Sequence, residues 1–341
     1  MEYKIVAINN NYPYMNVEGT FLYGTRTVIY VSYYNGNNNN DGFTPTTPVA
    51  TLAMAYSKFS SNTTRNENVI VIMGTYATTS ILNSATATTY AKNVTITGKY
   101  QGVEYNGLLY FNASSRYKYL NGNTTFMHIT FDGRNSRTYF YLQGYDLTMG
   151  EGIVMQNYLV GNAPGVHIFA GWLQYDYTSL PRTNGKIVIK SGTYARILLG
   201  GSPGTSGVSN LTKYNSHNFM GTSLTDDLYK SEITIDIKNS TTSSNYEYDI
   251  NLLGGGSTCG NIYGDVTLNI KNGTIGRLLG ASIGDSGERP NNWQYPLNTY
   301  IGTATINMTG GTVTEMYGGC LGRNMQAIDG GERVRKGTQN Q

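Results

Sequence analysis

The sequence predicts an all-β chain wound as a parallel β-helix, a solenoid closed at its N-terminal end by a short helix. One observation is a unit that recurs along the second half. It consists of a short apolar strand, a Gly- or Asn-containing corner, Thr beside an apolar residue, a second short strand and a Gly cluster. Another is composition. Gly (42) and Tyr (30) are heavily used beside abundant Asn, Thr and Ser. Charged residues make up 13% of the chain, against roughly 25% in an average globular protein. Asn, Gly and Ser favour turns, whereas Thr and Tyr favour half-exposed strands. The third is the stretch 30–76. A β-branched and aromatic run enters an Asn/Gly turn, passes Pro45 and Pro48 into a helix, and returns to an apolar strand closed by Gly74-Thr75-Tyr76.

In chain order, residues 1–27 read as an attachment or capping segment with a strand over 3–8, residues 28–323 as the β-helix, and residues 324–341 as an irregular tail. Continuation past Gln341 is left open. A helix is expected over 48–59, with Val49, Leu52, Ala53, Tyr56 and Phe59 at helical spacing. Laid over the first turn, it closes an end where a solenoid otherwise exposes its apolar cross-section and unpaired strand edges. Short strands follow at 93–98, 108–111, 126–133 and 139–142, each stopped by Gly, Asn or Asp. The repeats are then open: IVIKSGTY (187–194) leads to ILLGG (197–201), VTLNIKNGTI (266–275) to LLG (278–280), and ATINMTGGTV (304–313) to MYGG (316–319). A degraded copy is ITIDIKNS (233–240) with INLLGGG (250–256). Inward Ile, Val and Leu of one turn stack on the next while Thr, Asn and Lys point outward, the pattern of a solenoid. Polar insertions at 202–230 and 285–299 are expected to project from one side.

Several classes are excluded or disfavoured. A net charge of +3 is too mild to point to nucleic acid, and no Lys/Arg cluster occurs before Arg333-Val334-Arg335-Lys336. No run of about 18 apolar residues is present to span a membrane. The N-terminus lacks a signal peptide's basic start and apolar middle. Export therefore needs a signal missing from this sequence or release by lysis, as for a virion component. Cys259 and Cys320, the only cysteines, do not require a disulfide.

Tyr30-Val31-Ser32, Asp41-Gly42, Pro48, Thr51-Leu52-Ala53, the apolar strand 69–73 and Gly74-Thr75-Tyr76 form an ordered set. On these residues the chain resembles the right-handed parallel β-helix (pectin-lyase-like) superfamily, and its opening is similar to the start of many secreted members. The later GGT and YGG turns resemble those of repetitive surface proteins. The resemblance implies a right-handed coil. It leaves the activity open, because the family includes polysaccharide lyases and hydrolases, phage tailspikes and adhesins.

A glycoside hydrolase needs two carboxyls about 5–9.5 Å apart across one groove. The candidates are the adjacent pair Asp226 and Asp227, and Asp132 in Phe131-Asp132-Gly133. Loop capping and an ordinary turn are the competing readings. The Asp-Gly-His-Gly and Arg-x-Lys elements of polygalacturonase-like members are missing, as is the Asp-rich calcium cluster of pectate-lyase-like ones. A β-helix assembles sites from distant turns, so the enzyme reading stays open. His128 and His167 read as structural histidines within strands and His217 as exposed in an insertion, with no metal-ligand spacing among them. Residues 37–41 offer oxygens of the kind Ca²⁺ takes, and Ca²⁺ is the one cofactor left open. Asp41 is the lone charge there, so the stretch reads as a corner.

Tyrosine is the remaining signal, a flat apolar face with a hydroxyl that suits glycans. The candidate ligand-binding residues are Tyr139, Tyr141, Trp172, Tyr175 and Tyr177, and Tyr33-Tyr34 and Tyr117/Tyr119 show the same spacing. The competing reading is stacking between neighbouring rungs. The combined expectation is a non-enzymatic extracellular β-helix on a virion surface (tail fibre or spike) or a bacterial cell surface (adhesin). It would bind a cell-surface glycan, another polysaccharide or other structural proteins. The resemblance to tailspikes implies a homotrimer. Two alternatives stay open: a polysaccharide lyase or glycoside hydrolase, and a rigid scaffold within a larger surface protein.

Overall fold

Alternating apolar and polar residues bury one face of each strand, and parallel pairing brings the same face of successive strands into line. In the computed structural model this logic governs nearly all of the described chain. The structure describes residues 3–4, 20–21, 26–59, 67–78, 93–111, 117–120, 122–142, 145–158, 165–170, 186–199, 230–240, 247–255, 262–263, 265–280, 300–301 and 303–318. These residues are all-β apart from one short helix, and the strands gather into parallel sheets of nine, seven and four.

The nine-stranded sheet runs through Arg26–Val31, Glu67–Ile72, Asn93–Thr97, Asn123–Met127, Leu147–Met149, Lys186–Ile189, Lys230–Asp236, Asp265–Asn272 and Ala304–Met308, in sequence order. The seven-stranded sheet is Tyr117–Tyr119, Thr138–Tyr141, Val166–Phe169, Tyr194–Leu198, Ile250–Gly254, Thr274–Leu279 and Thr312–Tyr317. The four-stranded sheet is Thr75–Thr78, Leu108–Phe111, Thr130–Ser136 and Val154–Tyr158. Each repeat seen in the sequence thus supplies one strand to the nine-stranded sheet and the next to the seven-stranded sheet. The following repeat lands one place further along both. This progression is compatible with a β-helix or solenoid. Within the segment 1–27, Tyr3–Lys4 pairs antiparallel with Thr20–Phe21.

Register makes the core. Ile29, Ile70, Ile96, Phe126, Met149, Ile189, Ile235 and Ile270 are successive partners across the nine-stranded sheet. All eight are fully buried. Phe140, Ile168, Ile197, Leu253 and Leu278 form the matching row in the seven-stranded sheet. The sheets meet where Phe126 lies 5.2 Å edge-on to Phe131 and Phe140 lies 5.9 Å from Phe131, one ring from each sheet. The Gly clusters follow from close approach. A Cβ on Gly255 would strike the carbonyl oxygen of Gly280, and one on Gly280 that of Gly318, so only glycine fits this stack.

The outer edge of the nine-stranded sheet at Arg26–Val31 is closed by residues of the 30–76 motif. Tyr30 N–H donates to Gly42 O (2.8 Å), Val49 N–H to Tyr30 O (3.0 Å) and Ser32 N–H to Val49 O (3.0 Å). The loop therefore satisfies the outer edge of the edge strand. Asp41 Oδ1 accepts from Phe43 N (3.1 Å) and Thr47 Oγ1 (2.8 Å), and Asn38 Oδ1 from Ala50 N (3.0 Å) and Thr51 N (3.1 Å). Thr51 caps the helix by accepting from Met54 N (3.2 Å), and the Tyr76 hydroxyl accepts from Leu52 N (2.9 Å).

Three expectations need correction. The helix is Leu52–Ser57, shorter than 48–59, because Val49 is held extended as a bridge to Val31. Its buried residues are Leu52, Ala55 and Tyr56, while Ala53 faces solvent. The single strand expected over 126–133 is two, Asn123–Met127 and Thr130–Ser136. His128 between them is a corner with φ +48°, not a strand residue. The turn it makes carries the chain from one sheet to the next and lets Phe126, Ile129 and Phe131 all point into the core.

Lys118 is a fully buried lysine in the inward row, paired in register with Phe140, its Nζ 5.0 Å from the Phe111 ring centroid. Burial pushes its pKa down from 10.5 to about 8. Below that value both folded and unfolded states carry the proton, and the full cost of burying the ammonium is present. Between it and 10.5 the unfolded chain binds more protons, so stability rises with pH. The unfolding midpoint in urea is expected to increase from pH 7 to pH 9.5, and Lys118→Met to flatten that rise. In Gly42→Ala, the new Cβ would sit 2.8 Å from Ile29 Cγ2 at φ +77°. The left-handed conformation alone costs about 1–2 kcal/mol, so equilibrium unfolding should show at least that loss.

Candidate functional site

The outward face of the nine-stranded sheet is as regular as its core. Thr95, Thr125, Thr148, Val188, Thr234, Asn269 and Asn307 are successive partners. Parallel register sets like beside like, and amides bond along the row. Asn123 Nδ2 donates to Asn93 Oδ1 (3.1 Å) and Asn307 Nδ2 to Asn269 Oδ1 (2.9 Å). Asn269 Nδ2 also donates to Glu232 Oε1 (2.9 Å). The result is a fixed lattice of hydroxyl and amide groups.

Over its first five strands this face becomes a groove of about 870 Å³. Thr95, Thr97, Thr125, Thr148, Asn93 and Asn123 line it, with Tyr100, Gln101 and Gly102 alongside. Those three residues belong to a hairpin in which Lys99–Tyr100 pairs antiparallel with Val103–Glu104. Positive φ at Gln101 (48°) and Gly102 (82°) suits the tight two-residue turn such hairpins favour. The hairpin is rooted in an outward apolar cluster of Tyr30, Val69 and Val71, with Tyr100 and Tyr105 packed on it. Tyr30 meets Tyr100 edge-on at 6.4 Å and Tyr105 at 5.7 Å. Burial, helped by a hydrogen bond with Tyr105, pushes the Tyr30 phenol up to about 12.

Of the charged lining groups, Arg26 and Glu67 lie toward one end of the groove and Asp146 toward the other, with Lys99 in the hairpin. Arg26 Nε donates to Glu67 Oε2 (2.6 Å). Asp146 accepts at Oδ1 from Lys186 N (3.0 Å), and its N–H donates to Asn123 Oδ1 (2.9 Å). Burial raises the Asp146 pKa, and the bond from Lys186 partly offsets the rise. Glu67 and Asp146 belong to rows three strands apart, about 14 Å at ~4.8 Å per strand. That exceeds the about 5–9.5 Å of a glycosidase carboxyl pair. The floor of the groove presents hydroxyl and amide groups able to form hydrogen bonds, with an aromatic ring on one wall.

The residues singled out from the sequence are dispersed. Asp132 is buried at a bulge, accepting from Arg134 N (2.9 Å), Asn157 Nδ2 (2.9 Å) and Gln156 Nε2 (3.2 Å). Tyr139 stacks on His167 at 4.6 Å and Tyr141 on Phe169 at 5.3 Å, one rung on the next. Tyr141 is 2% exposed and offers a ligand no surface; Tyr139 is half-buried, and His167 is buried within its strand. Trp172, Tyr175, Tyr177, Asp226, Asp227, His217, Cys259, Cys320 and the insertions 202–229 and 285–299 lie outside the described residues. In the corner 37–41, Asn37 Oδ1 accepts from Asn39 N (2.9 Å) and Asn40 Nδ2 donates to Pro48 O (2.9 Å), so its side chains brace the loop. Among the described residues no group of three or more His, Cys, Asp or Glu gathers as a metal site, and no helix is long and apolar enough to cross a membrane. Sequence reasoning did not single out the Tyr100 hairpin; its one signal was Gly102 between short β-prone runs.

Compared with known proteins, the chain matches no family model, no curated protein and no solved structure.

Proposed function

We propose that this chain is a right-handed parallel β-helix of the pectin-lyase-like kind that acts outside the cell as a recognition element and performs no catalysis. Handedness is supported by the general rule that about 98% of parallel crossovers are right-handed, and the family by the motif in 30–76. The setting is a virion tail fibre or spike, or a bacterial surface adhesin, with a homotrimer as the assembly. The ligand is a neutral stretch of glycan lying in the groove beneath Tyr100, bound without a cofactor.

One observation carries this reading: an in-register floor of Thr95, Thr125 and Thr148 with Asn93 and Asn123, walled by an aromatic hairpin. Hydroxyls and amides satisfy sugar hydroxyls, and an aromatic face takes the apolar face of a pyranose. The separation of Glu67 and Asp146 favours binding over hydrolysis.

A panel of bacterial and plant polysaccharides distinguishes the alternatives when binding and product release are measured together. At least one neutral glycan should bind, about tenfold more weakly to Tyr100→Ala and more weakly to Thr125→Val, with both variants still folded at the assay temperature. A tenfold loss is about 1.4 kcal/mol, within reach of one aromatic contact. New reducing ends or unsaturated products would make the protein an enzyme. Binding to no glycan would leave the scaffold reading.

A further inference from the structure

The most unusual backbone lies on a different sheet from the groove. Strand Thr130–Ser136 pairs in register with Val154–Tyr158 up to Asp132 and Gln156, then shifts so that Ser136 meets Tyr158. Within this bulge Arg134 (φ 46°) and Asn135 (φ 58°) are consecutive left-handed residues, and Asn157 (φ 54°) faces them on the neighbouring strand. Neither strand has a glycine at these positions to make the conformation easy. The Asp132 carboxylate holds it in place, tying Arg134 N–H on one strand to the Gln156 and Asn157 side chains on the other. Bulges and left-handed non-glycine residues of this kind re-aim side chains and cluster at binding sites.

Here the side chain aimed is Arg134. It is exposed, and its guanidinium lies 4.1 Å over the centroid of the Tyr110 ring. Among the described residues no carboxylate pairs with that guanidinium. Burial raises the Tyr110 phenol pKa, and the nearby Tyr34 phenol adds to the rise. Tyr34 is 69% exposed, and Tyr33, 44% exposed, meets it edge-on at 5.1 Å. Tyr33 in turn packs on Tyr76 at 5.5 Å, whose hydroxyl is fixed by Leu52 N–H of the helix. An aromatic row therefore runs from the cap to a cation that the backbone is bent to present.

We propose that this row is a binding subsite for an anionic saccharide, separate from the groove. The apolar face of a pyranose stacks on the open Tyr34 ring, and the acidic group of the same sugar lies against Arg134. The planar guanidinium keeps edge donors free while its face rests on Tyr110, so it takes an acid group in a forked geometry. The shared chemistry is one anion on one ring; a uronate carboxylate and a phosphate ester are its two sources.

Methyl glucuronide and methyl glucoside differ only at the acid group and make the direct comparison, by NMR titration of the full chain. Glucuronide is expected to bind at least fivefold more tightly, shifting the Tyr34, Tyr110 and Arg134 signals, with the preference falling as salt is raised. Arg134→Asn keeps a residue suited to the left-handed conformation and should erase the preference. Tyr34→Ala should weaken both ligands at this site. Tyr100→Ala should leave the preference intact, which separates failure here from failure of the groove. Glucose 6-phosphate binding as tightly as glucuronide identifies the phosphate source, and weaker binding identifies the carboxylate. Equal affinity for glucuronide and glucoside, a preference surviving in Arg134→Asn, or full displacement of glucuronide by inorganic phosphate at equal concentration would overturn the proposal.

Discussion

The rest of the structure depends on the in-register stacking of inward side chains from one parallel strand to the next. Eight residues from Ile29 to Ile270 occupy one line, one from each successive strand, and all are fully buried. A buried side chain of this size contributes about 1.5–3 kcal/mol, and in a stack every rung is both support and cover for its neighbours. The constraint is strict, because a slip of one residue would turn the whole row outward. It also explains the compositional extremes. Rungs packed this closely need glycine where backbones approach, as at Gly255 and Gly280, and need an explicit lid at the first edge, which Gly42 and Val49 provide.

The same register that builds the core orders the surface. Identical residues in a parallel row sit side by side, so Thr follows Thr and Asn bonds to Asn without any further device. A surface fixed in this way has already lost the freedom that binding would otherwise remove. The two proposed contact regions differ in how they depart from that regularity. At the groove, a hairpin is added over an undisturbed sheet. Around Arg134 the sheet itself is distorted, with a buried carboxylate holding the distortion.

Much of the fold was legible because its signals are local. Ile233, Ile235, Leu268 and Ile270 alternate with polar residues, and their spacing announces strands with one buried face. The motif in 30–76 was legible too, although its reasons were not. Nothing in the residue types shows that the Tyr76 hydroxyl serves the helix or that Asn38 braces it. The corner at His128 and the left-handed Arg134 were hidden, because residues with side chains adopt that conformation only under tertiary constraint. Tyr139 and Tyr141 carried the right chemistry for a ligand, but an i, i+2 pair stacks equally well on the next rung, and in the structure it does. The groove depends on an added hairpin whose packing on Tyr30 is a long-range event that periodicity does not encode.

The central claim is the order and register of the parallel stack, and cysteine crosslinking tests it most directly. Val188 and Thr234 are outward partners on adjacent strands, whereas Val188 and Asn269 are separated by one strand. Those spacings are about 4.8 Å and about 10 Å, on either side of the roughly 7 Å limit for a disulfide. With Cys259→Ser and Cys320→Ser as background, oxidation of Val188→Cys/Thr234→Cys should give an intramolecular disulfide in the folded monomer. Val188→Cys/Asn269→Cys should give none. Equal crosslinking of the two pairs, or a link formed only by the second, would contradict the stack and everything placed upon it.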